Sequence, residues 1–249
     1  MKFIAIIPAR YASTRFPGKP LAVLGGKTVI QRVYEQVSRA IGNALVATDD
    51  ERILKHVESF GGKAVMTGSY HRSGTDRCWE AYMKNGGNED IIINVQGDEP
   101  FIQPEQIEAI MQCFDDESTE IATLVKPFKQ EGCYADLENP NKVKVVTDAD
   151  MNALYFSRSV IPYLRGVDKD LWPSRHQFYT HLGMYAYRAK VLRRVTQLSQ
   201  SPLELSESLE QLRWLENGIR IKLGVTPHSS IGIDTPEDLE RAEQFLSQL

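Results

Sequence analysis

The chain has 249 residues, of which 29 are Lys or Arg and 33 are Asp or Glu, and its formal net charge is -4. Hydrophobic residues make up 42% of it, which is enough for a packed core and excludes an intrinsically disordered protein. A slightly acidic chain is a poor non-specific nucleic-acid binder, so we expect no nucleic-acid partner. Any anionic substrate must then be held by a local basic cluster.

The cysteines and apolar segments indicate a reduced, cytoplasmic setting. Cys78, Cys113 and Cys133 are scattered and lack CxxC spacing, so they predict neither a disulfide framework nor a zinc site. The apolar stretch 3–7 is too short for a signal-peptide core, and no segment is long and apolar enough to span a membrane. We therefore expect a cytoplasmic protein with no membrane partner.

In the first half of the chain, short apolar runs alternate with segments of helical periodicity. Strands are predicted over residues 3–7, 44–48, 63–66 and 91–95, and helices over residues 28–40, 50–60, 74–83 and 104–114. This alternation predicts a parallel sheet with helices on both faces. Because ligands bind beyond the carboxyl ends of such strands, the loops after Ile7, Met66 and Val95 should share one functional edge.

The pattern changes between residues 127 and 188. Strands are predicted there at 142–147, 153–156 and 182–187, without intervening helices. We interpret residues 128–187 as a smaller antiparallel lobe that contains an irregular, mobile loop at 165–177. Further helices are predicted over 189–198, 203–216 and 236–249, and a strand over 219–225. The predicted fold class is α/β, with a mixed, mainly parallel sheet and an antiparallel lobe, in one domain spanning residues 1–249.

A basic loop follows the first strand, with the sequence Pro8-Ala9-Arg10-Tyr11-Ala12-Ser13-Thr14-Arg15-Phe16-Pro17-Gly18-Lys19-Pro20. Arg10, Arg15 and Lys19 lie among small residues, and a triphosphate needs such cations together with closely approaching backbone N–H groups. The loop matches neither GxxxxGK[ST] nor GxGxxG, which disfavours a nicotinamide dehydrogenase. The residues alone support a triphosphate site and an ordinary solvated basic loop equally well.

A second polar motif, Asn94-Val95-Gln96-Gly97-Asp98-Glu99-Pro100, follows the strand predicted at 91–95. A carboxylate directly after a buried strand is well placed to hold Mg²⁺, which takes oxygen ligands and bridges to substrate phosphates. Gly97 leaves room for a ligand to approach closely. The alternative is that Asp98 caps a turn or the next helix, but the basic loop on the same edge favours the metal site.

Two further motifs are explained by helix capping as well as by binding. In His71-Arg72-Ser73-Gly74-Thr75-Asp76-Arg77, Ser73 or Thr75 could cap the next helix or bind a base or ribose, and capping is favoured. Asp234-Thr235-Pro236 is typical of a helix start.

His181 lies in an apolar strand context and is interpreted as a core histidine. The sequence contains neither HExxH nor GxSxG.

Together these motifs closely resemble those of the 3-deoxy-manno-octulosonate cytidylyltransferase (CMP-Kdo synthetase) family. The resemblance is carried by residues 8–20, 73–77, 94–100, 142–146, 153–158, 181–185, 201–204, 209–213 and 234–239. It covers nearly the whole chain in order, and the motifs at 8–20 and 96–100 are highly specific.

This resemblance implies a reaction, a fold and an assembly. The reaction converts CTP and 3-deoxy-D-manno-octulosonate (Kdo) to CMP-Kdo and diphosphate with Mg²⁺, and activates Kdo for lipopolysaccharide biosynthesis. The implied fold is that of the nucleotide-diphosphosugar transferases. The implied assembly is a homodimer, in which residues 128–187 contribute contacts to the acceptor sugar and to the second copy.

The resemblance also implies roles for individual residues. Arg10, Lys19 and Asp98 would be catalytic, and Asp98 and Asp234 would bind Mg²⁺, so that Asp234 does more than start a helix. The implied nucleotide-binding residues are Pro8, Ala9, Arg10, Arg15, Lys19, Ser73, Thr75, Arg77 and Gln96. The implied sugar-binding residues are Arg158, His181, Tyr185, Glu210 and Gln211.

Three residues depart from the family pattern. Asp76 replaces an expected Glu, Arg72 replaces a neutral polar residue, and Leu205 replaces a polar residue near the acceptor side. Leu205 leaves open another acidic sugar, such as a sialic acid or amino-Kdo. A second alternative is a non-catalytic nucleotide-binding regulator, which would bind CTP without releasing diphosphate.

Overall fold

The computed structural model describes residues 1–13, 15–229 and 231–248. In chain order its strands are β1 Phe3–Ala9, β2 Val23–Leu24, β3 Lys27–Thr28, β4 Ala44–Thr48, β5 Ala64–Met66, β6 Ile91–Asn94, β7 Ile121–Pro127, β8 Lys144–Thr147, β9 Ala153–Ser157, β10 Tyr179–Arg188 and β11 Ile221–Val225. Its α-helices are α1 Val29–Ala40, α2 Glu51–Ser59, α3 Gly74–Lys84, α4 Pro104–Gln112, α5 Tyr134–Glu138, α6 Trp172–Arg175, α7 Ala189–Val195, α8 Pro202–Glu207, α9 Glu210–Glu216 and α10 Pro236–Leu246. Short 3₁₀ turns lie at Lys19–Leu21, Cys113–Asp115 and Lys169–Leu171.

The chain folds into two compact units. The first comprises Met1–Glu108, Ala186–Thr196 and Ser230–Leu249, and the second comprises Ala109–Tyr185 and Gln197–Ser229. The predicted lobe at residues 128–187 falls mainly in the second unit. Its roles in sugar binding and dimer contacts stay predictions, as does the organisation of residues 1–249 as a single domain.

The first unit is built on parallel strands in the order β6-β1-β4-β5. β1 is an inner strand that pairs with both β4 and β6, and Ile4 and Ile6 on it are fully buried. Helices α1, α2 and α3 begin at side-chain caps supplied by Thr28, Asp50 and Ser73. The parallel sheet predicted from the alternation of strands and helices is therefore confirmed.

The second unit mixes parallel and antiparallel pairing. β7 and β11 are parallel, whereas β8 pairs antiparallel with both β9 and β10. Strands were predicted at all three antiparallel positions, although β10 begins earlier than the predicted strand at 182–187. With three parallel pairs in the first unit, the pairing is mixed and mainly parallel, as predicted.

Two local predictions in the second unit were wrong. The helix predicted over residues 203–216 is two helices, α8 and α9, because Ser208 adopts a left-handed backbone conformation with φ 52°. The irregular loop predicted over residues 165–177 contains a 3₁₀ turn and helix α6. Trp172 in α6 is buried against Leu137 and Phe178, and this tertiary packing stabilises the helix. The mobility of that segment stays a prediction.

Within the described ranges, no helix combines the length and apolar character needed to cross a membrane.

Candidate active site

A cavity of about 440 Å³ lies in the first unit, where β1 and β6 end and α3 begins. Its lining residues are Pro8, Ala9, Arg10, Ser13, Arg15, Lys19, Pro20, His71, Arg72, Ser73, Gly74, Arg77, Gln96, Gly97, Asp98 and Asp234. The loops that follow β1, β5 and β6 all contribute to this lining. Because parallel strands end at a common edge, the sequence could predict this convergence, and the structure confirms it.

The cavity brings together most of the predicted nucleotide and metal residues. Pro8, Ala9, Arg10, Arg15, Lys19, Ser73, Arg77, Gln96, Asp98 and Asp234 all line it. Thr75 is not among the lining residues, because it lies in α3 with only 3% of its surface exposed. What each residue binds stays a prediction.

Asp98 and Asp234 face a common cation. Lys19 Nζ lies 2.5 Å from Asp98 Oδ2 and 3.2 Å from Asp234 Oδ1, and Arg15 Nη2 lies 3.0 Å from Asp234 Oδ2. Lys19 is only 9% exposed, and Gly18 before it, with φ 74°, is the N-cap of the 3₁₀ turn that begins at Lys19. At Lys19, therefore, the basic loop is not solvated: this side chain is buried, and its charge is directed into the cavity.

The backbone explains why Asp234 lies beside Asp98. The Ile233 N–H donates a hydrogen bond of 2.9 Å to the carbonyl oxygen of Asp98. Ile233 is fully buried in a cluster with Leu24 and Phe101, which fixes the segment before α10. A buried side chain and a backbone hydrogen bond thus bring two distant segments together.

Asp234 is not the residue that caps α10. Thr235 is the N-cap and forms a capping box with Asp238, and the Asp234 N–H also donates to Asp238 Oδ2. Because Thr235 and Asp238 satisfy the helix start, the Asp234 carboxylate is left to face Lys19 and Arg15. The helix start predicted from Asp234-Thr235-Pro236 is present, one residue later than Asp234.

The two carboxylates suit a magnesium ion that arrives with a nucleotide. Mg²⁺ is commonly held by one or two protein carboxylates, while substrate phosphates and waters complete its oxygen shell. In the part of the chain that the structure describes, no group of three or more His, Cys, Asp or Glu side chains could hold a metal ion. Asp98 and Asp234 therefore fit a shared metal–phosphate site rather than an all-protein metal cage.

Gly97 is required by the approach of two strand ends. A Cβ atom at this position would lie 2.7 Å from the carbonyl oxygen of Pro8 and 3.6 Å from Ala9 Cβ. The motif predicts that Gly97 leaves room for a ligand, and Gly97 does line the cavity, but the nearest neighbour of an added Cβ is the backbone of β1. Gly97 thereby lets Asp98 come close to the basic loop.

The start of α3 forms another wall of the cavity. Ser73 accepts a hydrogen bond of 3.1 Å from the Asp76 N–H, which confirms the predicted cap. Arg77 is 4% exposed, and its guanidinium donates to Thr67 Oγ1 at 2.6 Å and to Asp49 Oδ2 at 2.8 Å. These bonds tie α3 to the segments that follow β4 and β5.

His71 was missing from the predicted site residues, although the motif that contains it had been singled out. Its Nε2 pairs with the carboxylate of Glu80, which also accepts from the Gly68 N–H at 2.9 Å and pairs with Lys84 Nζ at 2.7 Å. Burial raises the pKa of Glu80, but the hydrogen bonds from Lys84, the Gly68 N–H and His71 outweigh it and lower that pKa to about 2. Glu80 thus anchors His71 at the cavity wall.

In the second unit, predicted sugar residues meet in an aromatic cluster. The ring centroids of His181 and Tyr185 are 5.4 Å apart, and those of Tyr185 and Trp214 are 5.0 Å apart. His181 Nε2 lies 3.0 Å from Thr123 Oγ1, and burial lowers its pKa to about 3, so the imidazole is neutral at pH 7. The ring is hydrogen-bonded, as the strand context predicts for a core histidine, but the residue as a whole is only partly buried.

Charge also connects Tyr185 with the start of α9. Burial, and then the charge of Glu210, raise the pKa of Tyr185 well above its ordinary value. Glu210 Oε1 accepts a hydrogen bond of 2.9 Å from Arg213 Nη2, and Gln211 is 4% exposed. Leu205 is 60% exposed on α8.

Arg158 lines a different cavity of the second unit, of about 410 Å³. Its guanidinium donates to the backbone carbonyl oxygens of Glu207 at 2.6 Å, Pro140 at 3.0 Å and Ser208 at 3.3 Å. Among the described residues that line this cavity, Arg158 is the one predicted to bind sugar.

Comparison with known proteins decides the family. A family model described as cytidylyltransferase matches residues 4–221. The 3-deoxy-manno-octulosonate cytidylyltransferase of Phocaeicola vulgatus is 64% identical over 248 residues, which are 100% of this chain and 98% of the relative. This chain belongs to the 3-deoxy-manno-octulosonate cytidylyltransferase family.

Further comparisons agree with this family membership. The 3-deoxy-manno-octulosonate cytidylyltransferase of Bacteroides thetaiotaomicron is 62% identical over 246 residues, covering 99% of this chain and 98% of the relative. A solved structure of a CMP:2-keto-3-deoxy-manno-octonic acid synthetase, complexed with CTP, is similar with a TM-score of 0.91 and 42% identity, covering 100% of this chain and 99% of that one. The family inferred from the motifs and its α/β nucleotidyltransferase fold are thus confirmed.

Proposed function

We propose that this protein converts CTP and Kdo to CMP-Kdo and diphosphate, and so activates Kdo for lipopolysaccharide biosynthesis. The observation that carries the proposal is the position of Lys19 between the carboxylates of Asp98 and Asp234, in a cavity at the strand ends. Such a cavity provides cations for a triphosphate and carboxylates for the divalent cation that accompanies it. The names of the full-length relatives support CTP and Kdo as the substrates.

The triphosphate would be held by the basic loop and the start of α3. Arg10, Arg15 and Lys19 line the cavity and would neutralise the phosphate oxygens. Ser73 and Gly74 line it at the amino-terminal end of α3, where backbone N–H groups and the helix dipole favour an anion. Gln96 lines the same cavity and would contribute a neutral polar contact.

We assign Asp98 and Asp234 as the protein ligands of Mg²⁺. When bound, the ion would supply Lewis-acid chemistry, neutralising charge on the phosphate oxygens. Arg15 and Lys19, which contact these carboxylates in the structure, would then contact phosphate oxygens instead. The same side chains thus balance the acidic pair before the nucleotide binds and the phosphates afterwards.

In this reaction the protein contributes positioning of the substrates and stabilisation of charge. The anomeric hydroxyl oxygen of Kdo attacks the α-phosphorus in line and gives up its proton to water, and the bond to the bridging oxygen breaks as diphosphate leaves. Arg10 and Lys19 stabilise the negative charge that develops on the bridging and leaving oxygens. Holding both substrates in line removes much of the entropic part of the barrier.

The remaining assignments rest on the family resemblance. We propose that Arg158, His181, Tyr185, Glu210 and Gln211 bind the octulosonate. We also propose a homodimer and a cytoplasmic location. The neutral His181 imidazole and the protonated Tyr185 hydroxyl would offer hydrogen bonds rather than charge to the sugar.

A diphosphate-release assay across nucleotides and acidic sugars tests the proposed reaction. We expect release with CTP, Kdo and Mg²⁺, and little with UTP or without the sugar. Release with a sialic acid or amino-Kdo in preference to Kdo would reassign the acceptor. CTP binding without release for any sugar would instead indicate the non-catalytic regulator.

A further inference from the structure

A fully buried lysine supports the backbone of Arg158. Lys144, at the start of β8, is 0% exposed, and its Nζ donates to the carbonyl oxygens of Arg158 at 2.6 Å and Asn139 at 3.0 Å. Burial lowers the pKa of this lysine. Burying an ammonium group is unfavourable unless it is hydrogen-bonded. The two carbonyl oxygens therefore fix the position of Lys144 Nζ.

A carboxylate holds the other side of the same residue. Glu207 Oε2 accepts a hydrogen bond of 2.9 Å from the Arg158 N–H, and Glu207 Oε1 accepts one of 2.6 Å from Ser157 Oγ. The carbonyl of Arg158 is therefore bound by a cation and its N–H by an anion. Hydrogen bonds to charged groups are stronger than neutral ones, so the backbone of Arg158 is held tightly.

The side chain of Arg158 is also held in place, by backbone carbonyl groups. Its Nε, Nη1 and Nη2 donate to the carbonyl oxygens of Glu207, Pro140 and Ser208. An arginine has five N–H donors, so donors remain on the guanidinium, which lines the cavity of about 410 Å³. The left-handed backbone of Ser208, with φ 52°, directs the chain between α8 and α9 at this point.

We infer that Lys144 and Glu207 are positioning residues that hold the Arg158 guanidinium in place for the acidic sugar. This inference rests on the proposed role of Arg158 in sugar binding. Lys144 stands on β8 and Glu207 on α8, so two separate elements set the position of Arg158. A long side chain that is fixed before binding loses little rotamer entropy when the ligand arrives.

Steady-state kinetics of Lys144→Met and Glu207→Ala test the inference. We expect the KM for Kdo to rise about tenfold or more in each variant, because small displacements of a binding group are costly. The KM for CTP, and the affinity for CTP measured by calorimetry, should remain unchanged. Glu207→Gln should largely restore the KM for Kdo, because its amide can still bond to both the Arg158 N–H and Ser157 Oγ.

Lys222→Met is the matched control. Lys222 Nζ also donates to a backbone carbonyl, that of Asp150 at 2.6 Å, in the same unit. Its hydrogen bond is to Asp150 and not to Arg158, so the control should keep the wild-type KM for Kdo. If Lys144→Met does not fold, the Glu207→Ala and Glu207→Gln pair decides the question.

The variant Arg158→Lys distinguishes failure of the positioning role from failure of the proposed sugar-binding role of Arg158. If Arg158→Lys leaves the KM for Kdo unchanged, the sugar-binding role of Arg158 is wrong, and the inference fails with it. If Arg158→Lys raises the KM while Glu207→Ala does not, the positioning role is overturned and the sugar-binding role stands. An equal loss in Glu207→Ala and Glu207→Gln would likewise overturn the positioning role.

Discussion

The ammonium group of Lys19 lies 2.5 Å from a carboxylate oxygen of Asp98 and 3.2 Å from one of Asp234, which is 215 positions further along the chain. A cation from the proposed triphosphate site therefore neutralises the proposed metal ligands. Binding of a divalent cation at these carboxylates requires Lys19 to give up its contacts there. A triphosphate offers Lys19 alternative partners, so nucleotide and metal should assist each other's binding.

We predict that Lys19→Met strengthens metal binding to the nucleotide-free protein. Removing the ammonium leaves Asp98 without its cation and Asp234 with Arg15 alone, so Mn²⁺ affinity should rise on the order of tenfold. Electron paramagnetic resonance of free Mn²⁺ measures this without any catalytic turnover. Lys27→Met, which removes a different ion pair with Glu35, is the control and should bind Mn²⁺ as wild type does.

We predict that Asp98→Asn lowers kcat about 100-fold or more at saturating Mg²⁺, because an amide does not replace an anionic oxygen ligand. Diphosphate release at increasing Mg²⁺ concentrations measures the effect. Asp168→Asn, which alters the cap of the 3₁₀ turn Lys169–Leu171, should keep wild-type turnover. Near-normal turnover of Asp98→Asn would show that the metal assignment is wrong.

We predict that Gly97→Ala destabilises the protein by about 1–3 kcal/mol, because the new methyl group is forced against the backbone of β1. The added Cβ would lie only 2.7 Å from the carbonyl oxygen of Pro8, so the backbone must shift to relieve this clash. Urea unfolding measures the free energy of unfolding. Gly42→Ala is the matched control, because a Cβ there meets nothing within 4 Å. Equal stability of the two variants would contradict the close approach of Gly97 to the backbone of Pro8.

The Glu80 carboxylate should make the stability of the protein depend on pH. Its pKa is lowered from 4.5 to about 2 in the folded protein, so its contribution is fully present above pH 4.5 and is lost as the pH falls towards 2. Each unit of that shift corresponds to about 1.4 kcal/mol of unfolding free energy. The stability of Glu80→Gln, measured by urea unfolding from pH 6 to pH 2.5, should therefore fall less steeply than that of wild type. Parallel curves for the two proteins would rule out this contribution.

Several features of the site were predictable from local sequence. A buried apolar run ends before Pro8 and another before Gln96, and parallel strands end at a common edge, so Arg10, Lys19 and Asp98 were expected to be neighbours. The family resemblance then added Asp234, for which the residues alone suggested only a helix start. The cap at Ser73 also followed from sequence, because it depends on a single turn of helix.

Other features depend on contacts that no local pattern contains. The break at Ser208 requires a positive φ in a segment of helical periodicity, and helix α6 is stabilised by the packing of Trp172 on Leu137 and Phe178. The pairing of His71 with Glu80 likewise requires the turn that precedes α3.

The sequence by itself determined the alternating α/β pattern, the basic loop, the carboxylate after β6 and the family. Only the tertiary structure decided that Lys19 lies between Asp98 and Asp234, and that a neighbouring strand also requires a glycine at position 97. The physical reason is that periodicity and capping are set by residues a few positions apart. The position of Asp234 depends instead on the burial of Ile233 and on its hydrogen bond to a carbonyl far away in the chain.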